Sequence, residues 1–187
     1  MAIPQERFYT EEDYEKLPEN IHAELIDGKI YDQAAPSRRH QDILMELAGT
    51  IRDYIKAKGG KCKVYPAPFF VKLFEDGETH GITIVEPDIS VICDRDKLTK
   101  RGCEGAPDWI IEIVSPGNAS HDYIRKLALY EDAGVREYWI VNQEKKIILV
   151  YHLGQENFEV SHYTFGDNIK AGIFEDLSIN FKELDLT

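Results

Sequence analysis

Cysteine is scarce in this chain, and what there is lacks pattern. Cys62, Cys93 and Cys103 are three in 187 residues, with no CxxC spacing. An odd count without that spacing reads as free thiols in a reducing cytoplasm rather than as a disulfide framework. The six histidines form no HxH or HxxxH pair, which excludes a zinc site built on a local motif. No apolar run approaches the length of a membrane span, and the opening "MAIPQERFYTEEDYEKL" has no apolar core of the kind a signal peptide needs. A cytoplasmic protein without a membrane partner is expected. No Gly-rich phosphate loop is present, so hydrolysis of a small phosphorylated compound finds no support. Positive charge is short as well: 22 Lys and Arg face 34 Asp and Glu, for a net charge of -12. Phosphate backbones repel such a chain unless basic residues are gathered locally or metal ions intervene.

What is there reads as one α/β domain over residues 1–187, long enough to bury roughly two thirds of the surface of its unfolded chain. Thr10 to Asp13 resembles a capping box opening a short helix that ends near Pro18. "HAELIDGKIY" (22–31) reads as two strands joined at Asp27-Gly28. Ser37 caps a long helix whose apolar stripe, Leu44, Leu47, Ile51, Tyr54 and Ile55, ends at Gly59-Gly60. Strands are expected at 61–66, 68–74, 84–93 and 109–114, with a charged loop over 94–106. A helix over 120–134, strands at 136–141 and 146–153, and final strands at 158–164 and 177–181 complete the chain. Strand, helix, strand around 109–141 is a crossover unit, and the hairpins add antiparallel strands. The fold class is therefore a central mixed β-sheet flanked by helices.

Within this frame, Glu112 is out of place. "WIIEIV" (109–114) is β-branched and bounded by Pro107 and Pro116-Gly117, which makes it a short central strand. An ionised carboxylate buried there without a partner costs several kcal/mol, roughly, so a cation, a donor or a raised pKa must accompany it. Asp88, in the preceding strand segment, can approach it closely enough to share one hard divalent cation. Asp108 cannot: four residues along one strand is ~13 Å. Lys126 follows on the next helix, where Asp122, Lys126 and Tyr130 share one face. Two readings of Lys126 stand open, a lysine packed against the carboxylates and an exposed one paired with Asp122. His40, one turn before Leu44, is either a core-edge histidine or an accessory of the site, and Tyr130 either lines the site or packs. Arg38 and Arg39 are either phosphate ligands near the helix start or ordinary exposed arginines. Ser115 has no histidine placed to serve it as a base.

The stretches "ELIDGKI" (24–30), "EPD" (86–88), "IIEIVSPGN" (110–118) and "DYIRKLALYEDAGVREYWIV" (122–141) resemble the Uma-type family of bacterial endonucleases. That family belongs to the restriction-endonuclease-like superfamily, with its PD…(D/E)xK motif. The superfamily's strand lysine is replaced here by Val114, and the family is similar in placing a lysine on the following helix, which matches Lys126. Asn142 stands where an aspartate is common, at a turn. The resemblance implies a restriction-endonuclease-like fold and a phosphodiesterase dependent on Mg²⁺ or Mn²⁺. It implies that Asp88 and Glu112 ligate the metal with the carbonyl of Ile113, and that Glu24 holds a bound water or second ion. Lys126 would orient the attacking water. DNA is the expected substrate, and a catalytically degenerate binding or regulatory module of the same fold is the alternative. Two-fold dimers suit enzymes that cut both strands, and "FFVKLF" (69–74) is the segment expected to expose apolar residues to a second subunit.

Overall fold

The hairpin at Asp27-Gly28 forms as its sequence demands. In the computed structural model, both residues have positive φ, 49° and 72°, the geometry of the two-residue turns that match strand twist. The structure describes residues 8–18, 21–75, 80–114, 119–154 and 159–186, with the side chains of 119–123 also left aside. Helix α1 (Glu11–Glu15) starts at a capping box in which Thr10 and Asp13 each accept the other's backbone N–H. The hairpin is β1 (Ala23–Ile26) and β2 (Lys29–Asp32). Helix α2 (Arg38–Ala57) is capped by Ser37, whose hydroxyl accepts the His40 N–H, and it buries Ile43, Leu44, Leu47, Ala48, Ile51 and Ile55. Then come β3 (Lys63–Pro66), β4 (Phe70–Phe74), β5 (Thr83–Val85) and β6 (Ile89–Ile92). After a 3-10 turn at Arg95–Lys97 follow β7 (Gly102–Glu104), β8 (Trp109–Val114), α3 (Ala119–Ala133) and β9 (Glu137–Asn142). The last strands are β10 (Ile147–His152), β11 (Glu159–Thr164), β12 (Asn168–Lys170) and β13 (Ser178–Asn180).

These strands make a five-stranded sheet, β2-β1-β5-β4-β7, a six-stranded sheet, β11-β10-β9-β8-β6-β3, and the pair β12-β13. Both larger sheets are mixed: β4 with β7 and β8 with β9 are parallel, the rest antiparallel. The single strand expected over 84–93 is two strands in different sheets. Pro87 has no N–H to donate to a ladder, and the Glu86 N–H is taken by the Glu24 side chain, so the chain leaves one sheet at Val85 and joins the other at Ile89. The expected charged loop over 94–106 contains β7. There Gly102 sits so close to β4 that a Cβ would lie 2.1 Å from the Phe70 carbonyl oxygen.

Strand β8 is buried on both faces, which explains its unbroken apolar run. Trp109, Ile111 and Ile113 pack with α2 and with Ile169, Ile179 and Phe181 of the chain's last part. Ile110 and Val114 face the other way, against Val71, Phe74, Leu129, Tyr130 and Tyr138. By alternation, Glu112 belongs to this second face.

Two expectations are corrected. "FFVKLF" is no exposed patch: Val71, Leu73 and Phe74 are buried, Phe69 stacks on Tyr65, and Phe70 lies between Tyr14 and Arg101. Cys62 and Cys93 are not free thiols but form a disulfide. The register that pairs Lys63 with Ile92 brings them directly opposite one another at the next position. Only Cys103, buried, is free among the described residues. No helix among the described residues is long and apolar enough to cross a membrane.

Candidate active site

The antiparallel register of β6 and β8 pairs Ile89 with Ile111. One step further it sets Asp88, the residue before β6, opposite Glu112. Asp88 is fixed from two sides. Its Oδ2 accepts the Ile113 N–H at 2.7 Å, and its Oδ1 lies 3.0 Å from Nε2 of His40 on α2. Glu112 is met from above by α3. Lys126 Nζ donates to Glu112 Oε1 at 3.0 Å and to Glu24 Oε1 at 2.9 Å. One turn later, the Tyr130 hydroxyl donates to the same Glu112 oxygen at 2.8 Å. Glu24 comes from β1 in the other sheet, and the Glu86 N–H holds it at 3.2 Å. The cluster therefore straddles the place where the chain passes between the two sheets.

Burial makes this arrangement tense. Glu24, Glu112 and Lys126 are 3%, 7% and 5% exposed. The Glu112 carboxyl is raised to about 7, first by desolvation; Asp88 and Glu24 raise it as well, while Lys126 and the Tyr130 hydroxyl pull it down. The Tyr130 phenol is raised well above its ordinary value, first by burial and then by Glu112 and Glu24. Burial opposes charge on His40, but the contacts with Asp88, together with Glu112, outweigh it and leave the imidazole raised. Glu86, beside the cluster, is raised by burial and by Glu24 while His22 lowers it.

Glu24, Glu86, Asp88 and Glu112 open onto one cleft of about 1370 Å³, which His40, Ile113 and Lys126 also line. Among the described residues, no three His, Cys, Asp or Glu side chains gather as a ready-made metal shell. Lys126 lies between Glu24 and Glu112, its ammonium bonded to both. Of its two readings, the buried one holds: Lys126 bonds carboxylates across the sheets. The Asp122 side chain and Ser115 lie outside the described residues. Arg38 is exposed, with Asp42 3.8 Å away, and neither it nor Arg39 lines the cleft. Tyr138 and Trp139 are fully buried packing residues. Asp108 accepts the Cys93 N–H at the entry to β8.

Several cleft residues escaped the sequence reading. Glu86 precedes the Pro-Asp pair, and Tyr31 is the cross-strand partner of Glu24, so the hairpin signal already implied its position. Arg125 neighbours Lys126. Gln143, 3% exposed with its Oε1 buried and unbonded, had no signal at all.

A family model, Uma2, described as "Putative restriction endonuclease", matches residues 11–182. An uncharacterised protein of Synechocystis, slr1290, is 25% identical over 150 residues, covering 79% of this chain and 75% of its own. A crystal structure from Anabaena variabilis, described as "a putative nuclease belonging to DUF820", is similar over 94% of this chain and 96% of that one, with a TM-score of 0.74 and 23% identity. At that identity the likeness establishes the fold, a mixed α/β architecture with helices flanking the sheets.

Proposed function

Since the chain belongs to the Uma2 family, we propose that it is an endonuclease dependent on Mg²⁺ or Mn²⁺ that hydrolyses DNA phosphodiester bonds, residues 1–187 acting as one nuclease domain. The observation that carries this reading is the buried Glu24–Lys126–Glu112 cluster opening on the same cleft as Asp88. The donor chemistry fits a hard divalent cation: carboxylate oxygens from Asp88 and Glu112, a backbone carbonyl from Ile113, and Glu24 to hold a bound water or second ion. Charge fits too. Three carboxylates face one ammonium, and Asp88 and Glu24 add to the burial that raises the Glu112 carboxyl. When bound, the ion supplies neutralisation of the phosphate and acidification of water.

The chain's own groups then have separate tasks. Lys126 orients the attacking water and stabilises charge developing on the phosphate. Tyr130 holds the Glu112 carboxylate in place, and His40 does the same for Asp88. A two-fold dimer would bring two such sites to the two strands of a duplex. The setting is the cytoplasm, although the Cys62–Cys93 bond is unusual for a reducing compartment.

The net charge of -12 favours a second reading, a catalytically degenerate binding or regulatory module. Supercoiled plasmid separates the two. Nicking that requires Mg²⁺ or Mn²⁺ and disappears in Glu112→Gln and Lys126→Ala supports the nuclease, and conversion to linear DNA before nicked circles accumulate supports the dimer. Plasmid left intact with either metal points to the module.

A further inference from the structure

Arg125 and Tyr31 line the cleft alongside Glu24, Asp88 and Glu112. The Arg125 guanidinium carbon lies over the Tyr31 ring, 4.0 Å from its centroid, a cation–π contact that restrains where the guanidinium sits. Register puts this pair next to the cutting site. Tyr31 pairs with Glu24 across the hairpin, and such partners have Cβ atoms about 4.5–5.5 Å apart. Lys126 bonds Glu24; its neighbour on α3, Arg125, lies on Tyr31. Consecutive residues of one helix thus reach the two members of one cross-strand pair, the inner contact in the carboxylate cluster and the outer one beside it.

We propose that Arg125, oriented by Tyr31, grips the phosphodiester adjacent to the one being cut, so that the site selects a polynucleotide strand over a single-phosphate ester. This deepens the nuclease reading and rests on it. A strand brings several phosphates into a cleft that also carries Glu24, Glu86, Asp88 and Glu112, and Lys126 is already bonded to two of these. The scissile phosphate has the cutting site to neutralise it. The next phosphate needs its own cation, and a guanidinium edge matches phosphate oxygens two at a time. A substrate with one phosphate gains nothing from Arg125.

Fluorescence anisotropy of labelled hexanucleotide and dinucleotide DNA over a range of salt, with Ca²⁺ replacing Mg²⁺ to slow cutting, tests this. Arg125→Ala should weaken hexanucleotide binding about tenfold and reduce the slope of log affinity against log salt by about one. The preference for hexanucleotide over dinucleotide should shrink about tenfold with it. Arg125→Lys should restore the slope, and Tyr31→Leu should weaken binding by loosening the guanidinium. Arg125→Gln keeps most of the stem and serves as the second variant. Melting temperatures, alone and with Mn²⁺, report whether each variant is folded and still binds metal. Wild-type affinity and slope in folded Arg125→Ala or Arg125→Gln, while the unaltered protein nicks plasmid, overturn the assignment. Lost affinity with an unchanged slope overturns it as well, since the residue would then act through structure. An unaltered protein that neither binds oligonucleotide nor nicks plasmid overturns the nuclease reading and this assignment together.

Discussion

Glu112 is the residue on which stability and chemistry pull in opposite directions. Its carboxyl is raised to about 7 by burial, so the folded protein holds that proton more tightly than the unfolded chain does. The stabilisation is complete below the ordinary carboxylate range and is lost as pH rises through about 7. His40, also raised, has the same sign: its contribution is complete below its ordinary value and is lost above the folded one. The metal-free protein should therefore lose stability between pH 5 and 8, by on the order of 1–3 kcal/mol. Glu112→Gln should flatten that slope and be the more stable protein at pH 8, as denaturant titrations at several pH values will show. Lys126 works the other way. Replacing this buried ammonium by methionine leaves Glu24 and Glu112 facing each other, and breaking a buried ion pair costs about 3–5 kcal/mol. Lys126→Met with wild-type stability at pH 8 would mean that the cluster is far wetter than its burial implies.

Among the elements, the disulfide has the most direct consequence. It closes a loop of sequence separation 31 between β3, the edge of the six-stranded sheet, and β6, which begins just after Asp88. Closing a loop of that size stabilises by about 3–4 kcal/mol in the chain-entropy account. Reductant, or Cys62→Ser with Cys93→Ser, should lower the unfolding free energy by that order in denaturant titrations. This bond also marks where the sequence stopped being legible. The capping box, the Asp27-Gly28 hairpin, the apolar stripe of α2 and the run of β8 are local patterns, and each formed as read. That Asp88 comes opposite Glu112 follows from the register of β6 on β8, and the partners the buried carboxylate finds are Lys126 and Tyr130. Which cysteines meet depends on the register between β3 and β6, and the division of 84–93 between two sheets depends on which neighbour each half finds. Neither is written in any short window. β7 is three residues long inside a charged stretch, too short for periodicity to show. Lys126 could be placed on the right helix, but its burial against Glu24 and Glu112 depends on tertiary packing.

At the scale of the whole molecule, part of the acidic excess, Glu24, Glu86, Asp88 and Glu112, lines one cleft where a cation can relieve it. A divalent ion that binds the folded cleft and not the unfolded chain stabilises by mass action, about 2.7 kcal/mol at a hundredfold excess over its dissociation constant. Mg²⁺ or Mn²⁺ should raise the melting temperature of the wild-type protein and leave that of Glu112→Gln nearly unmoved. Equal shifts in both would place the ion elsewhere. The junction between the sheets has one more consequence. The amides of Glu86 and Ile113 donate not to a neighbouring strand but to the side chains of Glu24 and Asp88. Their hydrogens can exchange with solvent when a single side chain swings away, without either ladder opening. Deuterium uptake at these two positions therefore reads the order of the cleft separately from the order of the sheets. Glu24→Gln and Asp88→Asn should each speed exchange mainly at its own partner amide, while the amides at the centre of β8 and β9 stay as slow as before.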